Sequence, residues 1–493
     1  MDRKNESDGR GGGFWKGGSV VLIALPLLLA VTFGVVPRPL GLDRALAGAR
    51  TALENGSSAA AAAHLVVVLR QQPWRASLWE LAGRSALAAG DPEAAIAFLD
   101  EARAGGAISA AGYLAYGDAQ HLLGSWTAAV ENWETAAEMG ADPVAVRLRL
   151  LEAHRTLGDY AAAIDDLQTL ATLRPGDAAI HYQLGLLLAA REPDAALAAL
   201  LQAAELDESL AEAVALLQQS LTPVEGVDDG DDYAAAVILF NAGRALAGLD
   251  EWTLAAEAFR QALLANPQYP DAWAFMGAAM ERLGNDGTEM FETALALDPG
   301  SLSANLLYAL HLRQAGRPAA ALPYLEAAAA IAPEEGGVSA AAVAAETAQA
   351  YAAMGDVNAA IDHFLRAVEL APGDPTYLHL LAMFSIYNDV QIEEIGFPAA
   401  RSAVLADGND PVALDLLGYA YYLGGDMVTG MRFLFRSLDA NPGYAPARLH
   451  LGLVYLARDE PDNARRQLEL AIQLAPGTEA AAQAQEILAT YLP

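Results

Sequence analysis

The sequence predicts an all-α solenoid of about twelve helix-turn-helix units, preceded by one N-terminal membrane-spanning helix. Three observations carry this expectation. Helix formers dominate, with Ala, Leu, Glu and Arg abundant and aromatic residues at only 7%. Landmark residues recur every 34 positions, as in Gly56, Gly90, Gly124 and Gly158, and again in Ala61, Ala95, Ala129 and Ala163. The third is a single uncharged apolar run, Ser19 to Val36. A length of 493 residues would ordinarily suggest about three globular domains. A repeat array escapes that expectation, because it lengthens without enlarging any one core.

Taken in chain order, the first element is the apolar run SVVLIALPLLLAVTFGVV. At 1.5 Å rise per residue it spans about 27 Å, close to the ~30 Å hydrocarbon core of a bilayer. Pro26 is tolerable in a membrane helix. Arg3, Lys4, Arg10 and Lys16 precede the run, and basic residues stay on the cytoplasmic side. Residues 1–18 are therefore expected as a short cytoplasmic tail, 19–36 as a transmembrane anchor, and the remainder as extracytoplasmic. A cleaved signal peptide is the rival. Its possible cleavage box, Ala45-Leu46-Ala47, lies well past a run that is longer than a usual signal core.

The repeat units begin near residues 42, 76, 110, 144, 178, 236, 270, 302, 341, 375, 411 and 445. Gly83 and Gly117 share the 34-residue spacing, as do Gly243 and Gly277; Leu417-Gly418 with Tyr421 returns as Leu451-Gly452 with Tyr455. Pro267, Pro299, Pro333, Pro372, Pro442 and Pro476 each end a unit. Small residues belong where the two helices of a unit cross, since a contact poor in Cβ atoms permits close approach. Turn glycines such as Gly425 supply positive φ, and the neighbouring Asp426 can cap the next helix. Proline stops one helix and starts the next. Trp79, Trp133, Trp273, Phe259 and Phe364 are expected to fill the seams between units.

These landmarks resemble the tetratricopeptide repeat over roughly residues 42–476. The clearest units are Leu414-x-x-Leu417-Gly418-x-x-Tyr421 with Gly425-Asp426, Leu434 and Pro442, and Tyr351 with Gly355-Asp356, Ala360, Phe364, Ala367 and Pro372. The resemblance implies a right-handed superhelix whose first helices line a concave groove for other proteins or peptides. Several units depart from the pattern. The unit at 178 loses one residue in its turn, and the unit at 270 loses two and carries Gly287 where the family has Ala. Extra residues around Glu334–Ser339 precede the unit at 341, and Tyr387–Pro398 replaces the turn of the unit at 375, leaving its second helix open. Ala211–Leu221 reads as a first helix without a partner. It runs into a polar stretch ending in Asp228-Asp229-Gly230-Asp231-Asp232, so 37–222 is expected as an N-terminal block, 223–233 as an acidic linker and 234–493 as a C-terminal block closed by a cap helix.

Chemistry is not evident. No zinc-protease, serine-hydrolase, phosphate-loop or dinucleotide fingerprint is present, and the acidic linker lacks the ligand alternation of a calcium loop. The eight histidines fall in different units with no metal-ligand spacing. No catalytic, cofactor-binding or metal-binding residue is expected. Cysteine is absent, which excludes disulfides and thiolate sites. A net charge of −33 disfavours nucleic acid and suits a basic partner, besides favouring solubility. Heavy use of Arg over Lys, with abundant Ala and Gly, suits a GC-rich bacterial genome.

The groove is then where function is sought. Register places His379, Met383, Tyr387, Asp415, Tyr419, Tyr422, His450 and Leu453 outward on the first helices of the last units. Phe275, Arg282, Arg244 and Arg313 hold such positions in the middle, and Arg84, Asp118, His121 and Tyr182 in the N-terminal block. The family's clamp for acidic carboxyl termini needs clustered Lys, Arg and Asn, which these positions lack. The last units offer instead an apolar, tyrosine-rich stripe flanked by Asp415. The expected function is a membrane-anchored scaffold or adaptor in assembly of an envelope complex. The alternatives are a non-catalytic subunit of a glycan synthesis, export or cytochrome-maturation system, and a cytosol-facing regulator.

Overall fold

A computed structural model describes residues 37–222, 232–332 and 338–492. The expected tail and anchor, nearly all of the acidic linker, and most of the insertion before the unit at 341 lie outside the described residues. Among those described, every regular element is helical, with no strand, and no helix is long and apolar enough to cross a membrane. One compact unit runs up to Val214, apart from Ala189–Asp194. The other comprises Ala189–Asp194 and the chain from Ala215 onward.

All twelve expected repeats are present as helix pairs. The pair near 76 is Ala76–Ala88 with Pro92–Ala104, that near 110 is Ala110–Leu122 with Trp126–Glu138, and that near 411 is Pro411–Leu423 with Met427–Ala440. Ala211–Ser220 follows a single 3-10 turn, Glu208–Leu210, and Glu479–Tyr491 closes the chain. Turn chemistry follows the sequence. Gly90, Gly158, Gly355 and Gly425 all have φ between 72° and 88°, and Asp91, Asp159, Asp356 and Asp426 each accept a backbone N–H three residues on. The open question at the unit near 375 resolves into a π-helical turn, Ile392–Gly396, leading into the helix Phe397–Ala406.

The crossing of the two helices obeys one packing rule. In most repeats a glycine of the first helix leaves room for a large side chain on the second. A Cβ on Gly83 would lie 2.6 Å from Leu99 Cγ, and one on Gly117 only 2.4 Å from Trp133 Nε1. Gly243 sits likewise against Phe259, Gly418 against Leu434 and Gly452 against Leu468, always with the partner 16 residues on. The two shortened units keep the contact by closing the count: Gly185 meets Leu200 at 15 residues and Gly277 meets Phe291 at 14. Deletions are therefore absorbed in the turn while the buried contact is held, as expected when packing rather than local propensity carries helix stability. Substituting Gly83→Trp or Ala163→Phe should overpack such a crossing at a cost of about 1–3 kcal/mol or more. Unchanged thermal stability in both variants would contradict the packing rule.

Two of the large aromatics differ from expectation. Trp133, Phe259 and Phe364 are buried, but Trp79 and Trp273 are only half-buried. Each has an indole N–H that must find an acceptor, and each donates it to the carbonyl six residues earlier, Trp79 to Pro73 and Trp273 to Pro267, both at 2.9 Å. Asn305 does the same to Pro299 and Arg448 to Pro442. The unit-ending proline thus fixes its carbonyl to the next first helix.

In the first compact unit, fully buried Asp166 is met by Arg147 Nη1 and His154 Nδ1, both at 2.7 Å. The hydrogen bond to Asp166 raises the His154 pKa above its usual 6.5, against an opposing effect of burial. A folded-state pKa above the unfolded value contributes stability that is complete below about pH 6.5 and is lost as pH rises through the folded value. His154→Gln should therefore be most destabilised relative to wild type near pH 6, with the gap narrowing at alkaline pH. Melting temperatures of the two proteins across that range provide the check; a constant gap would remove the linkage.

Candidate functional site

The last units of the second compact unit enclose a cavity of about 930 Å³. Its walls come from the first helices Pro375–Tyr387, Pro411–Leu423 and Ala445–Ala457, and the cap helix closes one side through Glu479, Ala480 and Gln483. The distorted turn after Tyr387 builds the mouth. Asp389 and Gln391 both have positive φ, and the chain returns so closely that a Cβ on buried Gly396 would lie 2.6 Å from Ser385 Oγ. Val390 N donates to Ser385 O at 2.9 Å and pins that turn. Tyr387, Asn388 and Asp389 are thereby held at the opening.

One part of the lining is aromatic and apolar, and polar residues including Gln349, Asp389 and Glu479 complete it. Tyr387, Tyr419, Tyr444 and His450 line the cavity with Met383, Phe384, Leu449 and Leu453. The His450 ring stacks on Tyr419 with centroids 3.9 Å apart and planes 9° apart, and Tyr387 approaches both rings at about 6 Å. His450 Nδ1 lies 2.7 Å from Asp415 Oδ1. The carboxylate accepts the Nδ1–H, so Nε2 is the nitrogen left to the cavity side. Burial raises the pKa of Tyr387, Tyr444 and Tyr419. At all three the negative charge of Asp415 adds to the rise, at Tyr419 after that of Tyr422. The phenols therefore stay protonated through neutral and mildly alkaline pH and can donate hydrogen bonds.

Several expected groove residues are placed differently. Met383, Tyr387, Tyr419, His450 and Leu453 line the cavity. Asp415 does not flank the stripe: it is completely buried, because His450 reaches back one repeat to cover it. His379 is held 2.7 Å from Asp410 Oδ2, a residue whose Oδ1 also caps the helix Pro411–Leu423, so it acts within the fold. Tyr422 stacks on Tyr419 at 5.8 Å but lines a neighbouring hollow with Leu456 and Tyr491. In the other groups, Asp118 accepts from Trp133 and from Arg149 Nε and Nη2, and Arg244 lies over the rings of Phe240 and Phe275. Arg313 pairs with Glu346 at 2.9 Å. These positions serve contacts between units.

Tyr444 and Glu479 were missed, because the former precedes its helix and the latter belongs to the cap. Also unforeseen is the approach of Glu281, Asp286 and His311, whose donor atoms lie within 4.8 Å of one another. They are occupied mutually: His311 bonds Glu281 at 2.8 Å and Thr288 at 3.1 Å, and Thr288 donates to Asp286 at 2.6 Å.

Comparison with known proteins follows the fold. Tetratricopeptide-repeat family models match residues 46–113, 81–146, 123–178 and 286–336, and another such model matches 312–384. No curated protein matches the sequence. Among solved structures, the APC/C hetero-tetramer Cut9-Hcn1 is similar at 15% identity over 91% of this chain and 96% of that one, with a TM-score of 0.39. Human IFIT1, seen as a dimer with m7Gppp-AAAA, matches at 16% identity over 77% and 80%, TM-score 0.42. Pseudomonas aeruginosa pilF matches at 17% identity over 45% and 98%, TM-score 0.37. No catalytic family is among the family models that match.

Proposed function

We propose that this chain, which carries tetratricopeptide repeats, is a non-catalytic scaffold that holds a segment of another protein in the cavity of its last repeats while its N-terminal segment tethers it to a bacterial membrane. The carrying observation is the cavity itself. Three tyrosines and a histidine converge there from three consecutive repeats, and Tyr387 remains half-exposed at the opening. Tyrosines held this way offer large, stiff contact area at little entropic cost, which suits an anchor pocket for a peptide. Truncating such an anchor typically costs about 2 kcal/mol or more in binding. A photo-crosslinking residue placed at Tyr387 should capture a discrete partner from intact membranes, and the same residue at the exposed, outlying Leu405 should not. Equal capture at both positions would move the site elsewhere.

The tether rests on the uncharged run 19–36 with basic residues before it. The repeats then lie outside the membrane, where an assembly role in an envelope complex fits. Protease added to intact protoplasts should degrade the repeat region. Cleavage seen only after permeabilisation would reverse the orientation.

A further inference from the structure

The geometry points to a cationic side chain, Lys or Arg, as the group that the C-terminal cavity takes from its partner. This rests on the peptide-binding reading above and gives it a chemistry. Four features of the site favour a cation. Tyr387 and Tyr444 line the space together with the stacked Tyr419–His450 pair, and aromatic rings attract cations. Asp415 is buried against the His450–Tyr419 stack, with Oδ1 on His450 and Oδ2 without a hydrogen-bond partner among the described residues. A carboxylate oxygen left so is costly, and positive charge brought into the adjoining cavity offsets the cost. Exposed Asp389 and Glu479 stand at the lining on opposite sides, one on the distorted turn and one on the cap helix. Finally, the only guanidinium among the lining residues, Arg313, is tied to Glu346 at 2.9 Å, so no lining cation among the described residues is left to neutralise this set.

The alternatives fare worse. A carboxylate ligand would face Asp389 and Glu479, with Asp415 buried behind His450, and would meet no Lys and no unpaired Arg among the lining residues. A purely apolar anchor would leave Asp415 as it is and gain nothing from the acidic mouth. The net charge of −33 adds long-range attraction for a basic segment. The occupant is thus a partner segment in which Lys or Arg enters the tyrosine-lined space while aliphatic neighbours pack on Met383, Leu449 and Leu453.

The test uses the full-length chain in detergent and a random dodecapeptide display library. Selected peptides should carry Arg or Lys. Replacing Arg by citrulline, or Lys by acetyl-lysine, should weaken binding at least tenfold in fluorescence anisotropy, and affinity should fall as salt rises. The exposed double variant Asp389→Asn, Glu479→Gln, which leaves the core untouched, should weaken the same peptide severalfold. Peptides whose binding needs Tyr387 and Tyr419 but ignores neutralisation of the cation would overturn this inference and leave the peptide-binding reading standing. A selection yielding no peptide sensitive to Tyr387→Ala or Tyr419→Ala, with both variants folded by circular dichroism, would overturn both.

Discussion

Trp133→Ala should be the most destabilising single truncation in the N-terminal repeats, at about 3–5 kcal/mol. Trp133 is 1% exposed and is the largest fully buried side chain of its unit. Its ring occupies the space that Gly117 vacates on the facing helix, and Ala129, Val146 and Leu150 close around it. Because Gly117 has no side chain to move inward, little can collapse into the void. The substitution also removes the donor that meets Asp118 Oδ1 at 3.0 Å, although Arg149 still holds that carboxylate. Trp133→Phe separates the two effects. It keeps most of the ring and loses the N–H, at about 0.5–1.5 kcal/mol for the hydrogen bond. In a repeat array each unit relies on its neighbours, so the damage should spread to the adjoining units and not to the distant ones. Hydrogen exchange should show faster opening over roughly residues 110–157, with the last repeats unaffected. A uniform loss of protection along the chain would instead mean that the whole array melts as one.

The register was legible because it is made of residues whose shape matters. Glycines that receive a facing side chain, alanines at crossings and prolines at unit ends recur because a stack of identical contacts needs them. The fate of the polar groove residues was far less legible. Asp415, Tyr419 and Tyr422 share one helical face in sequence, yet Asp415 is sealed and Tyr422 faces a second hollow. What decides this is the next repeat, which a single helix's period does not contain. A trace of it was present all the same. His450 lies 35 residues after Asp415, His311 lies 30 after Glu281, and Asp410 lies 31 after His379. A histidine and an acid about one repeat apart on first helices are neighbours in a solenoid, and reading the eight histidines for acids at that distance would have paired these three. The donor six residues after a unit-ending proline, as in Pro73 with Trp79, was a second unread signal. The cavity's mouth had no such signal, since the π-helical turn that forms it replaces the repeat pattern instead of following it.

Gly287→Ala should destabilise the chain by about 1–3 kcal/mol, although it restores the residue that the repeat pattern favours. Gly287 is the N-cap of the helix Thr288–Leu297, a position where glycine is itself preferred to alanine, so local preference adds to the loss. Gly287 has an ordinary φ of −91°, so no backbone strain requires glycine there. The reason is space. A Cβ at Gly287 would lie 2.4 Å from the carbonyl oxygen of Gly277 and 2.9 Å from its carbonyl carbon. Both atoms are backbone, so no rotamer change can relieve the clash, and the two helices would have to part. They cannot part cheaply, because Phe291 is seated over Gly277 in the same crossing and is 1% exposed. The two residues missing from this turn draw the helices together, and glycine on both sides is what allows it. The full-length unit at 76 keeps Ala at the matching position: at Gly83, the carbonyl of Ala95 comes only to 3.1 Å of an added Cβ. The full-length unit at 411 makes the same double-glycine crossing, where a Cβ on Gly430 would lie 2.8 Å from Gly418 O, so Gly430→Ala should follow Gly287→Ala in direction with a smaller loss. Chemical denaturation of the two variants beside wild type decides the matter. A gain in stability from Gly287→Ala would show that the shortened turn can yield and that the crossing does not require glycine there.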